Sequence, residues 1–526
     1  MIKKIITIIR YSTILVALSA VGLLARENAA AEAAPPDISV FWVLPFIGIL
    51  LCIAIIPLIN AHFWEKNLWW ISLGVFCVPM SIIFTVFMGE KLRELSFEKA
   101  LDYVSFIILL ASLFVISGGI LIKGSLSGTP KVNTIFILIG SVIASFVGTT
   151  GASMLLVRPL IRANQSRQKK AHVIIFFIFI VSNIGGSLTP LGDPPLFLGY
   201  LQGVPFEWTF RLAPQWALAC IIVLTVFFIM DTYLYRKEFP GTSAGAVSGN
   251  GNTISLVKND ISAALSILDI KNLIQEKRIR MAELKNIRGL LMRALQRLEG
   301  ASNGAAAGGE EKFAIDGKIN LILLAGVVII VFLQGLLVKQ VSWWPRFGFQ
   351  EFGMALLLGL SLVLTPYRSE LRQRNGFTFG PIKEVAYLFA GIFAAMIPAL
   401  YILEHKGAAL GITQPWQFFW AAGGLSSFLD NAPTYLTFLS LAKGLNLSKD
   451  IILNDGGHVS TAVLTAISCG SVFMGANTYI GNGPNFMVKS IAEEQGIKMP
   501  SFFGYMIYSI AVLIPTFILI TLIFFI

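Results

Sequence analysis

Residues 41–60 and 502–526 each run without a single charged side chain. A hydrocarbon core takes roughly 20 helical residues to cross, so each run is long enough to span a bilayer. Composition extends the conclusion to the whole chain: 56% of its 526 residues are hydrophobic and 13% charged, against about 25% charged in soluble domains. A soluble enzyme of this size needs more polar surface, and a disordered chain cannot be this apolar. The sequence predicts an all-α, multi-pass protein of a bacterial-type plasma (inner) membrane, with the lipid bilayer as its main partner.

Apolar runs place spans near 40–60, 69–88, 103–122, 213–234, 317–337, 350–366, 384–403 and 502–526. Basic clusters set their sides. Arg158, Arg162, Arg167, Lys169 and Lys170 form one cluster, Arg236 and Lys237 open another, and Arg368, Arg372, Arg374 and Lys383 mark a third. The positive-inside rule puts all three in the cytoplasm. The net charge of +11 is of this kind. With no basic patch interleaved with aromatics, no nucleic-acid partner is expected. Cys52, Cys77, Cys220 and Cys469 fall inside apolar runs without CxxC spacing and read as buried, reduced thiols.

At the N-terminus, Lys3, Lys4 and Arg10 precede an apolar stretch and then small residues. Residues 1–34 therefore read as a signal peptide or as a first transmembrane helix. Two later regions, 133–204 and 414–488, are apolar but broken by Gly, Pro, Asn and Asp. The side assignments make 133–160 and 414–443 re-entrant hairpins, and make 170–203 and 457–488 single broken spans. Residues 35–235 and 317–526 then carry the same series of elements, the first starting outside and the second inside. This is an inverted-topology repeat with two re-entrant hairpins and two broken helices, a pattern of secondary transporters. Residues 236–316 join the halves as a cytoplasmic linker. Gly- and Ser-rich flanks there enclose Ile267, Ile270, Ile274, Met281, Leu284 and Ile287 at the spacing of an amphipathic helix.

The breaks carry the chemistry. Ser182, Asn183 and Asp193 lie in the first, and Asn477, Thr478, Asn482 and Asn485 in the second. Thr149 and Thr150 sit at the first hairpin tip, Asp430 and Asn431 at the second. Unwound backbone survives at membrane depth only where protein or a water-filled cavity satisfies it. Its free carbonyls, beside Asn, Ser and Thr oxygens, suit a hard cation. Sodium is expected near Asn183, Asp430 and Asn477. An acid at membrane depth costs about 2.5–3.5 kcal/mol on insertion scales, so Asp193 and Asp430 read as ion-binding. The plain structural readings are an Asp-Pro turn for Asp193 and a helix cap for Asp430. Asp455 and His458 read as caps. No HExxH motif is present and no inward Cys/His pair is apparent, so an enzyme is not expected, nor any cofactor beyond the transported sodium ions and protons.

The stretch Val147-Gly148-Thr149-Thr150-Gly151-Ala152, residues 182–195, residues 427–434 and residues 475–486 together resemble the ion transporter superfamily. Within it they resemble the sodium/proton antiporter branch and the citrate-transport family. The resemblance implies a scaffold and a mobile transport part in each protomer, elevator-like motion and a homodimer. Carboxylate-carrying relatives place Ser-Asn-Thr at both hairpin tips, where this chain has Gly-Thr-Thr and Asp-Asn-Ala. No Arg or Lys lies inside the motif spans to clamp a carboxylate. Sodium/proton antiport is therefore the first expectation. A sodium- or proton-coupled carrier of citrate or another small organic anion is the second.

Overall fold

The computed structural model describes residues 38–86, 89–123, 127–239, 314–341, 343–448 and 450–526. Helix α1 (Leu44–Ile59) stops at Asn60, whose side chain accepts the Phe63 N–H and so caps α2 (Ala61–Trp69). A π-helical segment, Trp70–Cys77, carries α2 into α3 (Val78–Val86). Helix α4 (Gly89–Ser117) follows, then a short strand, β1 (Leu121–Lys123).

The first hairpin comes next. Thr129 caps α5 (Pro130–Val147), with proline at the position where a missing N–H costs nothing. Gly148, at φ 83°, reverses the chain into α6 (Thr149–Ala163). Asn133 and Asn164 exchange amide hydrogen bonds of 2.9 Å, which brings the start of α5 against the end of α6. The hairpin is therefore antiparallel. Helix α7 (Ala171–Ile180) unwinds through a 3-10 turn, Ile184–Ser187, and resumes as α8 (Pro194–Leu201) before α9 (Ala213–Glu238).

The second series repeats this order. Helices α10 (Lys318–Gln340), α11 (Phe349–Leu364), a short α12 (Glu370–Arg374) and α13 (Gly380–Lys406) precede a hairpin of α14 (Pro415–Ser426) and α15 (Asn431–Leu445). A broken helix follows, α16 (Thr461–Met474) and α17 (Gly483–Glu494), and then α18 (Phe502–Phe524). Eight of the described helices are long and apolar enough to cross a membrane. The strand pair β1 with β2 (Ala314–Asp316) runs antiparallel, Leu121 opposite Asp316, and Lys123 pairs with Asp316 at 2.6 Å. It ties the chain after α4 to the chain before α10. A second small pair, β3 (Ile451–Ile452) with β4 (His458–Val459), lies between α15 and α16.

The broken helices occupy the centre. Along α7, every residue from His172 to Ile180 is buried, and the same holds for Val463–Met474 in α16. Helix α7 is apolar all round beyond His172, as a buried helix is, while α16 buries Thr465, Ser468 and Ser471 along with its apolar residues.

Several expectations change in detail. The span read at 103–122 is the second half of a helix that starts at Gly89, because the charged turn containing Lys99 stays helical through a 2.9 Å pair with Asp102. The run at 350–366 folds as a 16-residue helix, shorter than the eight. Cys52 and Cys77 are half-buried rather than buried, on elements whose neighbours Leu51 and Val78 face outward, while Cys220 and Cys469 are buried as expected. Arg372 is not a solvent-facing loop cation. It is fully buried and donates to Thr365 O at 2.7 Å, Val115 O at 2.6 Å and Ser361 Oγ at 2.8 Å. Arg167 is buried as well, paired with Asp231, which also meets His172 at 2.7 Å. The signal-like residues 1–34 and the expected amphipathic helix lie outside the described residues. Helix α9 takes up the first residues assigned to that linker, ending at Glu238.

Candidate functional site

The two breaks fold by one hydrogen-bond scheme. In the first, Ser145 Oγ donates to Gly185 O at 2.5 Å, Thr189 Oγ1 donates to Ser145 O, and the Leu191 N–H donates to Thr189 Oγ1. In the second, Ser427 Oγ donates to Met474 O, Thr478 Oγ1 to Ser427 O, and the Ile480 N–H to Thr478 Oγ1. Gly192 and Gly481 hold matching close approaches. A Cβ on Gly192 would strike the Gly186 carbonyl, and one on Gly481 the Gly475 carbonyl. Packing partners are exchanged between halves: α8 lies along α15 of the second hairpin, and α17 along α6 of the first. A two-fold relation between repeats produces such an exchange.

These approaches bring four helix N-termini to one crossing: α6 at Thr149, α8 at Pro194, α15 at Asn431 and α17 at Gly483. Helix N-termini carry positive potential and unpaired N–H groups. The carboxylate of Asp193, fully buried, sits among them. Its Oδ1 accepts from Thr149 Oγ1 at 2.8 Å and Asn482 Nδ2 at 3.2 Å, and its Oδ2 accepts from Asn431 Nδ2 at 2.5 Å. The Thr149 N–H donates to Gly192 O at 2.7 Å, pinning the hairpin tip to the break.

Around this acid the two breaks are stitched together. Asn183 Nδ2 donates to Ile178 O and to Asn485 Oδ1, at 2.8 and 2.7 Å. Asn485 Nδ2 in turn satisfies Gly475 O and Thr478 O, carbonyls released by the unwinding. Asn482 Nδ2 also reaches Ser182 O at 3.1 Å, and Ser182 Oγ meets Ser153 Oγ at 2.8 Å. Within the breaks and tips, the buried amide oxygens Asn431 Oδ1 and Asn477 Oδ1 have no hydrogen-bond partner among the described residues. A buried acceptor without a donor is costly. Such an oxygen is a natural cation ligand.

A small cleft, about 50 Å³, reaches the crossing from one end of α4. Its walls are Leu109, Leu113 and Phe114 of α4 and Ile382 and Val385 of α13, facing Thr149, Thr150 and Asp193. It has room for a few waters or one partly hydrated ion.

A family model described as "Putative citrate transport" matches residues 35–285 and again 270–525. The chain belongs to that family. No individual curated protein matches it. Two matches, one to each half, fit the paired hydrogen-bond schemes, and the eight candidate spans make this citrate-transport family member a multi-pass membrane transporter.

Of the residues singled out in the sequence of this family member, Thr149, Ser182, Asn183, Asp193, Asn431, Asn482 and Asn485 share one hydrogen-bonded network. Thr478 meets that network through its carbonyl, and with Asn477 it also joins the second hairpin through Ser427, Asn477 Nδ2 donating to Ser427 Oγ at 2.9 Å. Thr150 is half-buried on the cleft wall. Asp430 is the N-cap of α15, its Oδ1 accepting the Ala432 N–H at 3.1 Å. Asp455 accepts the Gly457 N–H and pairs with Lys443. Sequence reasoning passed over Ser145 as a hub of the first scheme. A signal was available, since Ser-Phe-apolar precedes both tips, at 145–147 and 427–429.

Proposed function

We propose that this transporter exchanges sodium ions for protons by alternating access, with Asp193 as the exchanging acid. The observation that carries this is the carboxylate at the crossing. It is the acid on which both breaks and both tips converge, and no Arg or Lys is hydrogen-bonded to it among the described residues. An acid that binds either a sodium ion or a proton, but not both, couples the two flows. The open oxygens of Asn431 and Asn477 support a cation as the cargo. A free di- or tricarboxylate beside an ionised Asp193 would meet like-charge repulsion in a low-dielectric site.

A second reading, sodium- or proton-coupled transport of citrate or a similar carboxylate, is favoured by the family's description and by the four positive helix ends. One experiment separates the two. Purified protein in liposomes with an internal pH dye is challenged with sodium, lithium, potassium or citrate. Sodium alone is expected to move protons. Proton flux seen only with citrate present would replace the first reading by the second.

A further inference from the structure

We infer that Lys99, Asp102 and Gln202 form a latch that closes one end of the transport pathway and must open in each cycle. The inference rests on the alternating-access reading and adds to it the residues that govern which end is open. Lys99 and Asp102 lie on α4, one turn apart, and both are buried. Gln202 is the C-cap of α8, the second half of the first broken helix. The three side chains close a triangle: Lys99 Nζ donates to Asp102 Oδ2 at 2.9 Å and to Gln202 Oε1 at 2.8 Å, and Gln202 Nε2 donates to Asp102 Oδ2 at 2.7 Å. A buried ammonium and carboxylate thus spend part of their hydrogen bonding on a neutral residue of another helix, which a purely local i,i+3 pair does not require.

Gln202 is itself fastened to the second broken helix. Its carbonyl accepts the Asn454 N–H at 2.9 Å, and Asn454 Nδ2 donates to Leu201 O at 2.7 Å. Asn454 lies in the β3–β4 turn that leads into α16. Pulling Gln202 off α4 therefore pulls on both broken helices. At the same end, Lys443 of α15 pairs with Glu404 of α13 at 2.6 Å and with Asp455 of that turn. Two charged ties thus bind α4 and α13 to the hairpin and broken helices at the Lys99 end, the end that the basic clusters assign to the outside.

The other end of the same helices is unlike it. The face of α4 that is polar at Lys99, Asp102 and Ser105 becomes apolar at Phe106, Leu109, Leu110 and Leu113, and here the cleft separates it from Thr149, Thr150 and Asp193. The ties at this end run instead from α6 to connecting segments: Arg158 donates to Asn375 O and Arg162 to Ile122 O. The Lys99 end is thus held by charged ties across the elements, while toward the Ser117 end α4 presents an apolar wall to the cleft.

The test reads conformation without needing the cargo. Thr150→Cys is placed in a background whose four native cysteines are replaced by alanine, in liposomes of fixed orientation. An impermeant thiol reagent is then applied from each side. The parent is expected to label from the Ser117 side. Lys99→Met with Asp102→Leu removes both charges together and is expected to label at least tenfold faster from the Lys99 side. Gln202→Leu, which leaves the Lys99–Asp102 pair itself in place, is expected to shift in the same direction. Unchanged labelling from both sides in a folded Gln202→Leu protein overturns the latch, whatever the flux. A shift in labelling, where the parent protein itself moves neither sodium nor protons, leaves the latch standing and removes the antiport reading.

Discussion

Asp193 and Asn482 hold the same position in the two repeats and are hydrogen-bonded to each other, Asn482 Nδ2 to Asp193 Oδ1 at 3.2 Å. The breaks thus share one hydrogen-bond scheme and depart from symmetry in charge at its centre. One half supplies an acid and the other an amide. The centre of the crossing therefore pairs one carboxylate with one amide, and the second acid, Asp430, stands at the α15 end as its cap.

This relationship predicts the outcome of Asp193→Asn. The opposite repeat already accommodates Asn at that place, and Asn431 Oδ1 has a free acceptor to turn toward the new amide. The variant is expected to insert and to melt in detergent within a few degrees of the parent, while sodium-driven proton flux falls to the rate of protein-free vesicles. Exchange at the parental rate would remove Asp193 from the mechanism.

Asp430→Asn separates a cap from an ion ligand. Asn and Asp cap helices about equally well, so the bond to the Ala432 N–H survives. With Asp193 carrying the exchange, the expected result is measurable exchange with sodium affinity weakened several-fold by loss of a nearby negative charge. Flux at background would make Asp430 an exchanging acid alongside it.

Asn431→Ala removes the open Oδ1 together with a donor to Asp193. Losing one oxygen ligand is expected to raise the sodium concentration for half-maximal exchange about tenfold, equivalent to ~1.4 kcal/mol. The same titration with lithium checks it, since a lost ligand weakens both ions.

Gly192→Ala tests the close approach of the breaks. The new Cβ meets the Gly186 carbonyl and the Ser145 backbone, and neither can move without breaking the hairpin's scheme. Overpacking of this kind typically costs about 1–3 kcal/mol, visible as a lower melting temperature. Gly483→Ala is the control: nothing lies within 4 Å of its Cβ, and its melting temperature is expected to stay where it is.

The sequence carries the element order because every break is written in residues that cannot stay helical, such as Gly192, Pro194, Gly481 and Pro484. The tips were equally legible, as Gly148 and the Asp430–Pro433 turn interrupt apolar runs. Which acid sits at the crossing was not. Asp193 and Asp430 look alike along the chain, and only the packing of α8 against α15 brings Asn431 to Asp193 and leaves Asp430 to cap its own helix. Lys99 and Asp102 stand just before the span read at 103–122, and nothing along the chain marks them out. Their partner, Gln202, is a hundred residues away and polar in a way that marks nothing by itself.

The response to pH is the sharpest check on the exchange. When sodium ions and protons compete for Asp193, each weakens the other's binding by the same factor. The sodium concentration for half-maximal exchange should then rise as pH falls, by up to about tenfold per pH unit once the protonated form dominates. Surface ties do not contribute in the range that matters. Burial works against ionisation of Asp455, but Lys443 and the Gly457 N–H outweigh it and hold that carboxyl below its usual range. A depressed carboxyl lends stability above its unfolded value of roughly 4 and loses it only as pH falls through the still lower folded value. Between pH 6 and 9, therefore, the Lys443–Asp455 tie is constant. Sodium-driven alkalinisation of proteoliposomes, titrated across that range with and without citrate, is expected to show the rise in half-maximal sodium with citrate making no difference. A half-maximal sodium concentration that ignores pH would mean that protons and sodium do not share a site, and coupling through Asp193 would fall with it.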